Sequence, residues 1–433
     1  MKKILFLSLL LIFVFQFSIL NSQDTNYMRQ TLRSLTSDRM HGRGYSFRGD
    51  SIAAEFIRGE LKRLRVNPLV ENYYQEYTFS VHSMEGPVSL KVNGQRLVPY
   101  SQFRIPAWSK SSWGDFKVLT VPCETLLDVS KLKKFLNKYN GRLDDVFVYI
   151  DKSIFKGDDE EQSKAFDAAI AGIGRRNPFN SRGVIVGVSE LSTYSPANTD
   201  FRHNYAYIEV LSSVMPKKVK EFNCSFFTQF HPRYKTQNIF GVVPGEVDTM
   251  IVYTAHYDHL GTMGDSVVFY GAHDNASGVA TILDIARDVV SSKPHYTTVF
   301  CFFSGEEAGL MGSKFAYEHP VFDYSKVRLL INIDMFCGGN EGIMVFNAND
   351  ERTAPYVDRL QHLNDALQIA PEIRRRENRP NSDHWWFSKK VPAIFILSMG
   401  QRYGGYHDPQ DTCDRCGLEN YLNYVTLLSA LSL

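Results

Sequence analysis

The chain has 433 residues, 44% of them hydrophobic and 22% charged, and a formal net charge of +1 at pH 7. That balance gives no general electrostatic reason to bind nucleic acid or an anionic membrane surface, and neither is expected as a partner. Six cysteines in a chain of this length do not make a disulfide framework; Cys301 reads as a small core residue, and the isolated pair Cys413 and Cys416 is too little for zinc but leaves a local disulfide open in an oxidising compartment.

In chain order, Lys2 and Lys3 precede a short apolar run, and small and polar residues follow near Ser22. Residues 1–22 therefore read as a secretory signal peptide, which implies a secreted or periplasmic protein with no stable membrane span after cleavage. The segment SIAAEFIRGELKRL repeats apolar residues at Ala54, Ile57, Leu61 and Leu64, a helical stripe. YYQEYTFSV, from Tyr73 to Val81, reads as a strand at the start of a sheet. Between residues 82 and 232 the pattern changes: DVFVYI, a helical AFDAAIAGI, GVIVGVS and YAYIEVL suggest a small inserted α/β domain. Residues 23–81 and 233–433 are then expected to form the catalytic domain, since roughly 410 mature residues are many for one domain.

After Tyr234 come the apolar runs MIVYTA (Met250 to Ala255), TVFCFF (Thr298 to Phe303), RLLINI (Arg328 to Ile333) and AIFILS (Ala393 to Ser398). They read as buried parallel strands. Ala276 to Val290 reads as an amphipathic helix with Asp274 and Asn275 as candidate caps, and Arg374 to Arg376 as a solvated helix face. The expected fold is α/β, a mixed, mostly parallel central sheet flanked by helices, with the small inserted α/β domain.

The chemistry lies in AHYDHLG, GAHDNASG, SGEEAG, INID and GYHDPQD. They supply His256, Asp274, Glu307, Asp334 and His407, imidazoles and carboxylates of the kind zinc favours in hydrolytic sites. Two ions sharing a water need about two protein ligands each and one bridging carboxylate, and this set has that stoichiometry. His256, Glu306, Glu307 and Asp334 each fall just past the last apolar residue of a strand, at the sheet edge where ligands bind in open α/β folds. Neighbouring residues leaving a strand end point in different directions, so Glu307 is assigned to metal and Glu306 to general acid/base work. Asp258 is placed to orient the imidazole of His256 through a carboxylate hydrogen bond.

At these residues the chain resembles the co-catalytic zinc exopeptidases, clan MH metallopeptidases that include secreted bacterial aminopeptidases and glutamate carboxypeptidase. The ordered match runs from about Tyr234 to the C-terminus and includes SDHWWF (Ser382 to Phe387), which is similar to the family's pocket-lining motif. The resemblance implies two zinc ions, His256 and Asp334 on opposite ions, Asp274 as the bridge, and Glu307 and His407 completing the set. It implies a zinc-dependent aminopeptidase that hydrolyses the N-terminal peptide bond of peptides through a metal-bound hydroxide. His384 and Tyr406 read equally as substrate contacts or as core residues. The resemblance leaves His259 and His273 as neighbours rather than ligands. One departure is that His407 is followed by Asp408, where the family usually has threonine. The inserted region is similar in order to the protease-associated domain of some relatives, which covers the cleft.

Two rivals share the scaffold. A glutaminyl-peptide cyclotransferase would use one zinc for intramolecular acyl transfer, and a non-catalytic binding protein would lack ligands or Glu306. NASG after Asp274 and the inserted domain favour the peptidase, and no ligand is missing. Carboxypeptidase action would need a pocket arginine, for which Arg379 and Arg402 are candidates. Trp385, Trp386 and Tyr403 could line an apolar pocket or belong to the core.

Overall fold

The computed structural model describes residues 24–139, 143–157, 159–196, 204–400 and 405–431. The signal-peptide reading of residues 1–22 and the pocket candidates Arg402 and Tyr403 lie outside the described residues.

The four apolar runs become the strands Val247–His256, Tyr296–Phe303, Val327–Ile333 and Ala393–Met399, parallel neighbours in one sheet. They are apolar at nearly every position because both faces are covered. Ile251, Tyr253, Phe300, Phe302, Leu329 and Ile331 face a core shared with the helices Thr25–Leu35, Gly49–Leu64 and Ser277–Ser292. The alternate residues Val252, Val299, Cys301, Phe303 and Leu330 pack on the other face with Ala316 and Phe387. Period-two alternation thus sorts one continuous apolar run into two cores.

Antiparallel strands flank this parallel centre. Thr228–Val243 pairs with Tyr296–Phe303, and Gly342–Phe346 pairs with Ala393–Met399, so the nine-stranded sheet is mixed. The run Arg374 to Arg376 is not the expected helix face. It belongs to the short outer strand Ile373–Arg376, which pairs with Gly342–Phe346. Only Ile373 of the strand is buried, and charged side chains on an outermost strand discourage pairing with another chain.

The chain leaves this sheet along Tyr74–Met84 and returns along Thr228–Val243, two long strands paired antiparallel. Between them lies a second, eight-stranded sheet. Its strands Ser112–Thr120, Leu143–Asp151, Ser181–Val188 and Ala206–Leu211 run parallel to one another, with the helix Glu160–Ile173 packed against them. Leu260, Met263, Val267 and Phe269, from the loop joining His256 to Asp274, enter a core of this second sheet. The loop is pinned again from the N-terminal side by Gly42, whose φ is +59°. A Cβ there would come within 2.4 Å of the carbonyl oxygens of Gly261 and Phe269, so only glycine permits the crossing.

The local disulfide that the sequence left open between Cys413 and Cys416 does not form. Cys416 pairs with Cys337, 79 residues away with a Cα separation of 5.5 Å, and Cys413 is a buried free thiol. The bridge ties the loop after Asp334 to the C-terminal segment. Among the described residues no helix is long and apolar enough to cross a membrane.

Candidate metal centre

His256 is the last residue of its strand, and Asp334 directly follows Val327–Ile333. Their side chains converge on the loop that carries Asp274. His256 Nε2 lies 3.3 Å from Asp274 Oδ1 and 3.3 Å from Asp334 Oδ1. On the other side of Asp274, His407 Nε2 lies 3.3 Å from Asp274 Oδ2 and 3.1 Å from Glu307 Oε2. Two donors on one tetrahedral zinc with bonds of about 2.0–2.1 Å lie about 3.3 Å apart. All four separations fit that edge, and Asp274 offers one oxygen to each group.

Electrostatics agree with the donor chemistry. Burial opposes protonation of His256, yet Asp334 and Glu306 hold its pKa well above the usual imidazole range. Burial also opposes protonation of His407, but its hydrogen bonds to Asp274 and Glu307 push it up to about 10. Asp274 is drawn well below the ordinary carboxylate range, against its burial, by His256 and His407. The pocket strongly favours positive charge, which bound dications supply.

The supporting residues are largely buried. Asp258 does not orient His256 as expected: its carboxylate is 3.7 Å from His256 Nδ1, whereas its own backbone carbonyl is 3.1 Å away and is the better acceptor. Beyond hydrogen-bond reach of the ring, the Asp258 carboxylate instead accepts the backbone N–H groups of Glu306 at 3.1 Å and Glu307 at 3.3 Å, and the Tyr45 hydroxyl at 2.7 Å. It therefore fixes the turn that aims both glutamates. Asp411 accepts the backbone N–H groups of His273 and Asp274 at 2.9 and 3.1 Å. Ser382 donates to Asp334 Oδ2 at 2.7 Å and accepts from Asn332.

Arg43 is the unforeseen member. Its guanidinium is wholly buried and donates to five backbone carbonyls: Tyr257, Leu35, Tyr270, Gly271 and Asp274. One side chain thereby joins the N-terminal segment to the loops after His256 and before Asp274. No motif spacing marks it, because its partners are backbone atoms and four of the five are more than 200 residues away in sequence.

The remaining sequence candidates separate by burial. Glu306 is partly buried beside the carboxylates; burial raises its pKa well above the usual range, His256 opposes this, and Glu307 and Asp334 add to it. His384 is fully buried against Phe395, with burial pushing it down to about 3. Tyr406 is 63% exposed and stacks on His407 with ring centroids 3.8 Å apart, beside the centre. Tyr100, from the second-sheet region, donates to the backbone carbonyl of His407 at 3.0 Å. Arg379 is exposed, and Lys389 lies over the rings of Trp385 and Trp386. His259, set aside on sequence grounds, lies within the centre, its Nδ1 2.6 Å from Glu307 Oε1.

Residues 238–431 match Peptidase family M28. A probable leucine aminopeptidase of Arthroderma otae is 27% identical over 205 residues, covering 45% of this chain and 57% of its own length. Aminopeptidase Y of Saccharomyces cerevisiae is 29% identical over 131 residues, covering 30% of this chain and 23% of its own. The chain spans 57% or less of the length of these curated relatives. Among solved structures, a zinc aminopeptidase from Bacillus subtilis is similar with a TM-score of 0.63 at 16% identity, covering 94% of both chains. An aminopeptidase from Aneurinibacillus sp. strain AM-1 has a TM-score of 0.58 at 15% identity, covering 94% of this chain and 93% of its own. At such identities the likeness is one of fold.

Proposed function

We propose that this chain, whose residues 238–431 match peptidase family M28, is a secreted or periplasmic zinc aminopeptidase that removes the N-terminal residue from peptides. The observation that carries the reading is the position of Asp274 between two donor groups, one oxygen facing His256 and Asp334 and the other facing His407 and Glu307. His256, Asp274 and Asp334 would hold one zinc ion, and Asp274, Glu307 and His407 the second. When bound, the pair supplies Lewis acidity to the scissile carbonyl and to the attacking water.

The chain's own residues do the rest. Glu306, its backbone held by Asp258, takes a proton from the water and passes it to the leaving amine. Tyr406, exposed and stacked on His407, is the substrate contact we assign; His384, fully buried, acts on the pocket through packing. The Cys337–Cys416 bridge supports an oxidising compartment.

The test is zinc content of the purified protein together with hydrolysis of aminoacyl-arylamides, leucyl among them, and of an N-terminal glutaminyl peptide. About two zinc ions per chain with chelator-sensitive arylamine release is expected for a co-catalytic pair. One zinc with cyclisation of the glutaminyl peptide would replace this reading with a cyclotransferase, and little metal with no turnover would replace it with a binding role.

A further inference from the structure

His259 is completely buried and lies in the same donor cluster as Asp274 and Glu307. Three observations define its part. Its Nδ1 is 2.6 Å from Glu307 Oε1 but 4.0 Å from Asp274 Oδ2. Its Nε2 has no hydrogen-bond partner. Its ring is clamped by Gly271, whose φ is +59° and where a Cβ would come within 2.4 Å of the ring carbon Cδ2.

A separation of 2.6 Å is too short for two donors on one tetrahedral zinc, whose edge is about 3.3 Å. It is the length of a charge-assisted hydrogen bond. Because a carboxylate only accepts, the hydrogen of this bond sits on Nδ1. The two oxygens of Glu307 then face different partners, Oε1 toward His259 and Oε2 toward His407 at 3.1 Å.

We propose that His259 is a positioning residue for the metal centre: its Nδ1–H holds Glu307 Oε1, so that Glu307 presents only Oε2 to the second ion. The proposal rests on the two-zinc reading above. A carboxylate freed from that bond could rotate to chelate with both oxygens or turn away. Hydrogen-bonded supports of metal ligands typically contribute about 10–100-fold in metal affinity. His259 supplies that support from the carboxylate side of the ion, and its backbone N–H is anchored in turn on the carbonyl of Arg43 at 3.2 Å.

The experiment combines zinc titration with X-ray absorption spectroscopy of the zinc-loaded protein. Wild-type protein should bind two ions and show about one imidazole per zinc, from His256 and His407, and not the roughly 1.5 that a ligating His259 would give. His259→Leu should weaken the second zinc about 10–100-fold and leave the first unchanged. His259→Asn, which places an amide N–H near the Nδ1 position, should recover most of that loss. A wild-type chain that binds one zinc overturns the two-ion reading and this proposal with it. Two zinc ions with about 1.5 imidazoles each, or unchanged second-site affinity in His259→Leu, overturn the proposal alone. If the leucine variant fails to fold, the wild-type spectrum and the asparagine variant still decide.

Discussion

Arg43→Leu should destabilise the chain more than a typical core truncation. All five N–H donors of the buried guanidinium are used, each on a backbone carbonyl, at 2.6–3.2 Å. Removing them strands five buried acceptors at about 1–3 kcal/mol each, a gross loss of about 5–15 kcal/mol. Relief from holding a buried cation returns several kcal/mol, since burial already depresses its pKa to about 10. Water entry and loop relaxation return more, leaving a net loss of about 4 kcal/mol, a large part of a domain's usual 5–15 kcal/mol. Urea unfolding of the metal-free protein reads this directly. Arg43→Lys, with three donors on a flexible stem, should fall between wild type and leucine. Zinc content should fall in parallel, because the carbonyls released belong to Tyr257, beside His256, and to Asp274 itself. A leucine variant within about 1 kcal/mol of wild type, or one with full zinc content, would refute the claim that Arg43 holds these loops together.

Glu306→Gln removes the proposed proton carrier without removing a proposed ligand; kcat should drop about 10²–10⁴-fold while zinc content stays at the wild-type level, and unchanged turnover would remove Glu306 from the mechanism. His384, pushed down to about 3 in the fold against 6.5 ordinarily, binds a proton in the unfolded chain that the native one refuses, so stability falls as pH drops below 6.5. From pH 6.5 to 5 that is about 2 kcal/mol, and His384→Leu should show a correspondingly flatter loss in urea midpoints measured across this range. Alkylation of the unreduced, unfolded protein should tag Cys123, Cys224, Cys301 and Cys413 and spare Cys337 and Cys416; a tagged Cys337 with an untagged Cys413 would contradict the connectivity. Reduction should cost about 4.5 kcal/mol in the chain-entropy account, because the bridge closes a loop of 79 residues.

The strand runs and the motif order were legible because each depends on local pattern. An apolar run such as TVFCFF needs two covered faces wherever it sits, and its alternate residues divide between two cores. Ligand types at strand ends follow from the same logic, so His256 and Asp334 could be located at the sheet edge from sequence. Arg374 to Arg376 misled because a four-residue strand and one helical turn look alike when three of the four residues are arginines. Asp258 misled for a subtler reason: its spacing from His256 permits a carboxylate contact, but the backbone turns so that the carbonyl meets the ring and the carboxylate meets the next loop.

By itself, then, the sequence determined the class of sheet and the inventory of imidazoles and carboxylates, since hydrophobic periodicity and donor chemistry are properties of neighbouring residues. Tertiary structure alone decided that Cys337 rather than Cys413 meets Cys416, that Arg43 gathers four distant carbonyls beside that of Leu35, and that His259 faces Glu307. Those contacts join segments up to a few hundred residues apart. A backbone carbonyl or a ring nitrogen acquires its partner only when the chain has folded and brought it there.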